Sequence, residues 1–179
     1  KDVFEIDAAQ APPVVTREVR GAGTLIFNLA VNPATGAVYA TNLESQNSIR
    51  FESTIHGHVA ESRVSILNGA VVTPVHLNPH INYTEPGGDP AVISQSLAFP
   101  LVMEFTADGS ILYVAAFGSR KVAVLDAQAA VLARIDVGGG PSGLALDEAR
   151  GRLYVLNRFD QTISIVATAA RLETTVVPL

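Results

Sequence analysis

The sequence predicts an all-β fold built from repeated, four-stranded antiparallel units of roughly 41 residues. Short segments rich in β-branched and aromatic residues recur at a fixed offset, turn residues separate them, and helical periodicity is nearly absent. The chain has 179 residues, of which 48% are hydrophobic, so it is long and apolar enough to bury a core.

The repeat is clearest in the second half of the chain. An offset of 41 residues aligns residues 111–114 with 152–155, and residues 121–124 with 162–165. The same offset aligns Met103 with Leu144. These segments predict four strands, termed a to d, in each unit. In one unit they are expected at 101–105, 111–115, 121–125 and 131–137, and residues 127–132 are the only stretch whose pattern also admits a helix.

A third copy of the unit lies upstream, and half a copy precedes it. Residues 36–42 match a b strand and residues 62–68 match a c strand. Residues 2–7 and 14–19 are typical of a c strand and a d strand. The sequence therefore predicts half a unit followed by three whole ones.

The b strands share a signature. Tyr39-Ala-Thr-Asn42, Tyr113-Val-Ala-Ala116 and Tyr154-Val-Leu-Asn157 are variants of Tyr-Val-Thr-Asn. With the turn at 33–36 and the Gly-Pro-Ser-Gly segment at 140–143, this pattern resembles the YVTN-family β-propeller repeat of about 40 residues. The resemblance implies a fragment of a larger bacterial propeller protein. The expected fold class is an all-β, partial β-propeller of about three and a half four-stranded antiparallel blades.

A single partial propeller domain is expected over residues 1–179. Its parts are a half blade at 1–20, a blade at 21–80 with a b–c insertion at 43–60, an inserted d–a connection at 81–99, and blades at 100–140 and 141–179. Spacing defines both insertions, because the b–c loop of the first whole blade carries sixteen extra residues and the following d–a connection seventeen.

The two insertions are expected on one side of the sheet. In an antiparallel meander, successive turns alternate between the two ends, so the b–c turns and the d–a connections share one end. Long loops are uncommon in compact domains and often carry function. The insertion-bearing end of the first whole blade is therefore the predicted functional surface.

Histidine placement supports that surface. His56 and His58 lie in the b–c insertion, His76 ends the d strand, and His80 opens the d–a insertion. Neutral imidazole binds metals and polar ligands. The ligand-binding candidates are His56, His58, His76, His80, Arg50 and Arg63, and a bound metal would use His56, His58 and His80.

A purely structural role for the same residues is the alternative interpretation. The histidines would hydrogen-bond the loops into shape, and salt bridges of Arg50 and Arg63 with Glu52 and Glu61 would stiffen the insertion. No catalytic residue is identified, because no nucleophile lies beside a recognisable base and no carboxylate pair can be argued.

Composition excludes several function classes. The chain has no cysteine, which excludes disulfides, thiolate metal sites and Cys-x-x-Cys-His haem attachment within it. A net charge of −5 without a basic stripe argues against nucleic acid as a partner. No apolar run approaches the ~20 residues that a membrane-spanning helix needs.

The sequence favours a noncatalytic propeller segment that binds a ligand or partner through the insertions. Two alternatives remain: the propeller part of a redox enzyme beside a haem (cytochrome-like) domain outside this chain, or surface-layer architecture whose insertions bind nothing. The resemblance implies a periplasmic, extracellular or cell-surface location. Apart from a metal ion, no cofactor is expected in the chain. Expected partners are the remaining blades of a parent propeller or a second copy, with a protein or small-molecule ligand.

Overall fold

The computed structural model describes residues 1–46, 58–84 and 88–179. Within these ranges, fourteen strands form one two-stranded and three four-stranded antiparallel sheets, and in each sheet the strands pair in chain order. The fold is therefore the predicted all-β partial propeller of about three and a half blades.

The strands, in chain order, are β1 (Val3–Asp7), β2 (Val14–Val19), β3 (Leu25–Val31), β4 (Val38–Ser45), β5 (Ala60–Asn68), β6 (Val71–His76), β7 (Pro100–Phe105), β8 (Ile111–Ala116), β9 (Lys121–Asp126), β10 (Val131–Asp136), β11 (Pro141–Asp147), β12 (Arg152–Asn157), β13 (Thr162–Ala167) and β14 (Leu172–Pro178). The half blade contains β1 and β2, the first whole blade β3 to β6, the middle blade β7 to β10, and the last blade β11 to β14.

Short helices appear where the sequence pattern indicated none. The α-helix α1 (Pro90–Ile93) lies in the predicted d–a insertion, and a 3-10 helix (Glu148–Arg150) forms the a–b turn of the last blade. Asp89 caps α1 by accepting a hydrogen bond from the backbone N–H of Ala91 at 2.8 Å. Residues 127–132, which admitted a helix, instead form a turn and the start of β10.

The core lies between neighbouring sheets. The Tyr39 ring on β4 meets the Phe105 ring on β7 edge-on, with centroids 4.9 Å apart and planes 84° apart. The Tyr39 hydroxyl donates a hydrogen bond to the carbonyl of Ala127 at 2.5 Å. Leu112 and Leu125 are fully buried in the same cluster. Consecutive sheets thus stack face to face, as neighbouring propeller blades do.

The first whole blade differs at its b–c end. Strands β4 and β5 stay paired for three residue pairs past Asn42 and Arg63, ending at Ser45 and Ala60. The middle and last blades stop at the positions equivalent to Asn42 and Arg63. The predicted insertion at 43–60 therefore begins as an extension of the strand pair, because backbone pairing continues to satisfy hydrogen bonds there.

Candidate functional site

Residues from both insertions meet beyond this extended strand pair. The His58 ring, at the end of the b–c insertion, stacks on the Tyr83 ring of the d–a insertion, with centroids 3.8 Å apart and planes 11° apart. The His76 ring, at the end of β6, has its centroid 6.3 Å from that of Tyr83. This confirms the prediction that the two insertions emerge on one side, which we call the insertion side.

Strand register explains why polar side chains collect here. Arg63 on β5 pairs directly with His76 on β6. Glu61 lies two residues before Arg63 and so on the same face of β5, and it pairs with Glu44 on β4. The extension of β4 and β5 carries both carboxylates out to the loops. We call His58, Glu61, Arg63, His76 and Tyr83 the histidine cluster.

Arg63 contacts two carboxylates, that of Glu61 in the cluster and that of Glu44 beside it. Its Nε and Nη2 atoms donate to Oε2 of Glu61 at 2.9 and 2.5 Å, and its Nη1 lies 3.8 Å from Oε2 of Glu44. Burial by itself would raise the pKa of Glu61, but the hydrogen bonds and charge of Arg63 outweigh it and hold that pKa below its usual value. The predicted salt bridge between Arg63 and Glu61 is therefore present.

Two ring nitrogens of the cluster, His76 Nε2 and His58 Nε2, have no hydrogen-bond partner among the described residues. Both atoms are shielded from solvent. Burial lowers the pKa of His76 and Glu61 only partly opposes that effect, so the ring is neutral at pH 7. His58 Nε2 lies 3.1 Å from Oε1 of Glu61, but the angles are not those of a hydrogen bond. An unpaired buried ring nitrogen is costly, which favours a ligand that bonds to it.

Tyr83 supplies the hydroxyl of the site. Burial and, secondarily, the negative charge of Glu61 raise its pKa, which keeps the hydroxyl protonated and able to donate. The cluster thus offers a neutral imidazole, a phenol and a guanidinium already paired with carboxylates. Such a set has donors and acceptors that can form hydrogen bonds with polar groups.

His80 lies at the edge of the cluster. Its Nδ1 is 3.5 Å from Nη2 of Arg134 on β10. Burial and the charge of Arg134 lower the pKa of His80. His80 therefore links the d–a insertion to the middle blade, beside a cavity of about 200 Å³ within that insertion.

The predicted site residues are thus only partly accounted for. His58, Arg63 and His76 come together, whereas Arg50 and His56 lie outside the described residues. Within 1–46, 58–84 and 88–179, no three His, Asp or Glu side chains are grouped so that they could hold a metal ion. Of the suggested metal site at His56, His58 and His80, the two described histidines therefore gain no geometric support.

Sequence reasoning missed two side chains of the site. Tyr83 belongs to no repeat motif, although an aromatic residue in a polar insertion is a usable signal. Arg134 lies on the next blade, and no local pattern connects it with His80.

No helix in the described ranges is long and apolar enough to cross a membrane.

Comparisons with known proteins identify the fold. No protein-family model and no curated protein matches the sequence. Among solved structures, Kuenenia stuttgartiensis hydrazine synthase matches with a TM-score of 0.67 and 17% identity, over 88% of this chain and 48% of that one. The RRP9 WD40 repeats match with a TM-score of 0.63 and 16% identity, over 91% of this chain and 41% of that one.

Citrobacter koseri AztD matches with a TM-score of 0.57 and 11% identity, over 93% of this chain and 39% of that one. The chain therefore spans about half or less of the length of these proteins. Identities this low show a shared propeller fold alone.

Proposed function

We propose that this chain is a noncatalytic β-propeller scaffold that binds a ligand or partner on the insertion side of its first whole blade. One observation carries the proposal. The His58 ring of one insertion stacks on the Tyr83 ring of the other beside His76, and the shielded Nε2 of His76 has no partner among the described residues. The other two blades connect the same strands with tight turns, so the fold alone does not require the extra residues.

The chemistry of the cluster favours a polar ligand without strong negative charge. Arg63 is the cation of the site, and Glu61 and Glu44 already surround it. An anionic ligand at Arg63 would be repelled by the negative charges of these two carboxylates. A neutral or cationic group that hydrogen-bonds to His76 or accepts from the Tyr83 hydroxyl is favoured. Polar loops of proteins and small polar molecules both carry such groups.

The family and location are parts of the same proposal. The Tyr-Val-Thr-Asn variants at Tyr39, Tyr113 and Tyr154 support membership of the YVTN repeat family. Through that resemblance we propose a secreted, periplasmic or cell-surface location. The chain would act as one portion of a ring that further blades of a parent protein complete, or that a second copy extends.

The alternative function is the propeller part of a redox enzyme whose haem domain lies outside this chain. Its support is at the level of fold, since hydrazine synthase shares the propeller architecture with this chain. Cys-x-x-Cys-His motifs next to these 179 residues in the parent sequence would favour it, whereas further propeller repeats on both sides without such a motif would favour the scaffold.

Nuclear magnetic resonance on the isotope-labelled chain tests ligand binding. The probe is a panel of free amino acids, monosaccharides and capped tripeptides at millimolar concentration, with amide and histidine ring signals observed. We expect at least one compound to shift signals of the histidine cluster. We expect His76→Phe, which keeps a ring but removes both nitrogens, to weaken that shift at least about tenfold, as losing one hydrogen bond to a buried group does.

Lys121→Gln is the matched control, because Lys121 occupies in the middle blade the position of Arg63 and should leave the shifts unchanged. If no compound in the panel shifts the cluster, or if His76→Phe binds as the parent chain does, the proposed binding function is wrong.

A further inference from the structure

Four phenylalanine rings form a row across the insertion side of the three whole blades. The Phe27 ring on β3 and the Phe99 ring just before β7 have centroids 5.4 Å apart. The Phe117 and Phe159 rings, in the b–c turns of the middle and last blades, have centroids 5.0 Å apart. The backbone N–H of Phe117 donates to the carbonyl of Phe99 at 2.9 Å and joins the two ring pairs. We call these four residues the phenylalanine row.

Much of the row is uncovered. Phe99 is 45% exposed and Phe159 is 67% exposed, and the other two side chains are partly exposed. Single exposed apolar residues are normal on a protein surface, but neighbouring exposed aromatic rings that run across three blades form contiguous apolar surface. Contiguous apolar surface of this kind marks an interaction site.

The backbone at Phe99 indicates that its side chain does more than close a turn. Phe99 has a φ of 54°, in the left-handed region that favours glycine. Gly140, with a φ of 65°, holds the same position in the last blade, because Pro100 and Pro141, the residues that follow, pair with the last residues of β8 and β12. The last blade thus makes this connection with glycine, whereas the middle blade has a strained backbone that carries an exposed aromatic ring.

The b–c turns of the middle and last blades also carry an excess of positive charge. Arg158 is exposed, and no carboxylate of the described residues lies within ion-pair distance of it. Arg120 is 66% exposed, and its Nη2 lies 3.4 Å from Oδ2 of Asp160. That oxygen also accepts a hydrogen bond from the backbone N–H of Gly139 at 2.7 Å. On a chain whose net charge is −5, two guanidiniums beside one carboxylate form a local positive patch that attracts carboxylate groups.

The first whole blade limits what can reach the row. Strands β4 and β5 continue three residue pairs past the level at which the other two blades turn. At about 3.3 Å per residue, this extension ends about 10 Å beyond the b–c turns that carry Phe117 and Phe159. A flat bilayer would meet the extension before it touched the whole row, whereas an extended peptide is narrow and can lie beside it.

We infer that the phenylalanine row binds an extended segment of a partner protein that carries both apolar side chains and carboxylates. The apolar side chains cover the rings of Phe99 and Phe159, and the carboxylates pair with Arg120 and Arg158. Aromatic surfaces and arginine clusters are two of the recurring means by which proteins recognise extended segments. The inference uses no residue of the histidine cluster, so it is independent of the ligand-binding proposal.

A matched set of synthetic peptides tests the inference on the full chain. The probe is a capped decapeptide of alternating leucine and aspartate, titrated to millimolar concentration while the amide signals of the isotope-labelled chain are observed. We expect it to shift the signals of Phe99, Phe117 and Phe159. Replacing every leucine by serine removes the apolar side chains, and replacing every aspartate by lysine reverses the charge. Each change should weaken binding at least about tenfold.

Variants of the chain separate binding from a structural role. Phe99→Gly, which copies the last blade, should weaken binding of the leucine–aspartate peptide at least about tenfold and leave the melting temperature unchanged or raised, because the left-handed strain is relieved. Phe159→Ser should weaken binding similarly and provides a second test if Phe99→Gly disturbs the fold. Phe4→Ser removes a ring of similar exposure, 48%, outside the row and should bind as the parent chain does. His76→Phe should also bind as the parent chain does, which keeps this test distinct from that of the histidine cluster.

Several results would overturn the inference. They are a leucine–aspartate peptide that does not shift the row, equal binding of the three peptides, and unchanged peptide binding in both Phe99→Gly and Phe159→Ser. Vesicles of three parts phosphatidylcholine and one part phosphatidylglycerol are the membrane probe. Cosedimentation with these vesicles that Phe159→Ser abolishes would assign the row to a lipid surface and would also overturn the inference.

Discussion

The b–c ends of the first whole blade and the middle blade share two strand positions and use them differently. In the middle blade, Lys121 pairs with Asp136 across β9 and β10, with Nζ and Oδ1 2.8 Å apart and Asp136 86% exposed. In the first blade those positions hold Arg63 and His76, and Arg63 turns to Glu61 instead.

The difference shows how an added segment changes the chemistry of a strand end. A tight turn leaves Asp136 of the middle blade in water, although the side chain of Lys121 is only 15% exposed, and an ion pair with one solvated partner contributes little. In the first blade the side chains of both partners are enclosed, with Arg63 20% and Glu61 18% exposed. Enclosure raises the energetic weight of each polar contact and leaves the Nε2 of His76 without a partner in the described chain.

The largest expected effect tests whether the blades also differ in their interiors. Leu112 in the middle blade is fully buried, and Val38 at the same position of the first blade is partly exposed. Leu112→Ala should lower the free energy of unfolding by about 2–5 kcal/mol, through lost transfer energy and the cavity left behind. Val38→Ala should cost about 1 kcal/mol. Urea denaturation measures both, and equal losses would contradict the difference in burial.

The next largest effect concerns a buried Asn–Ser pair that the first and last blades have and the middle blade lacks. Asn42 Nδ2 donates to Ser65 Oγ at 2.9 Å, and Asn157 donates to Ser164 in the last blade at 2.7 Å. The middle blade has alanine at both equivalent positions.

Ser65→Ala alone should cost about 1–3 kcal/mol, because it leaves a buried amide donor without this acceptor. The double variant Asn42→Ala/Ser65→Ala, which copies the middle blade, should cost less than the sum of the single variants. A double-mutant cycle by urea denaturation measures the coupling, and strict additivity would show that the pair does not act as a unit.

A smaller effect compares the two ion pairs. Glu61→Gln should lower the free energy of unfolding by about 1 kcal/mol, because Arg63 then keeps only the more distant carboxylate of Glu44 as a charged partner. Lys121→Gln should change it by less than about 0.5 kcal/mol, because Asp136 is solvated. Thermal unfolding at low and high salt measures both. Equal losses in the two variants would contradict the enclosure of the first-blade pair.

The smallest effect is a pH dependence in the first blade. Because the pKa of folded His76 lies below its ordinary value, the unfolded chain takes up this proton first as the pH falls. The stability that the neutral ring gives is present above the ordinary pKa of about 6.5 and is lost as the pH falls through the lower, folded pKa.

His76→Phe should therefore flatten the dependence of the melting temperature between about pH 7.5 and 5.5. His80, whose pKa is also lowered, keeps its own contribution and serves as the internal comparison. An unchanged slope in His76→Phe would show that His76 titrates as a solvated histidine does.

The sequence by itself determined the strands, their order and the side on which the insertions lie. The 41-residue repeat located β2 at Val14–Val19 as predicted and β8 with one residue more than predicted. Such short, locally bounded strands follow from residue pattern, because alternation and turn residues act over a few neighbours. The alternation of turns between the two ends of a sheet was enough to predict that His58 lies near the residues that follow His80.

Only the tertiary structure decided which side chains meet across those distances. The stack of His58 on Tyr83, the contact of His80 with Arg134, and the four-residue helix α1 depend on the path of loops that no local periodicity specifies. A helix that short is not stable alone, so its surroundings hold it. The exposure of a side chain also depends on the tertiary structure. Leu29 and Met103 fill the same repeat position, but only Met103 is buried, because the preceding blade packs against it.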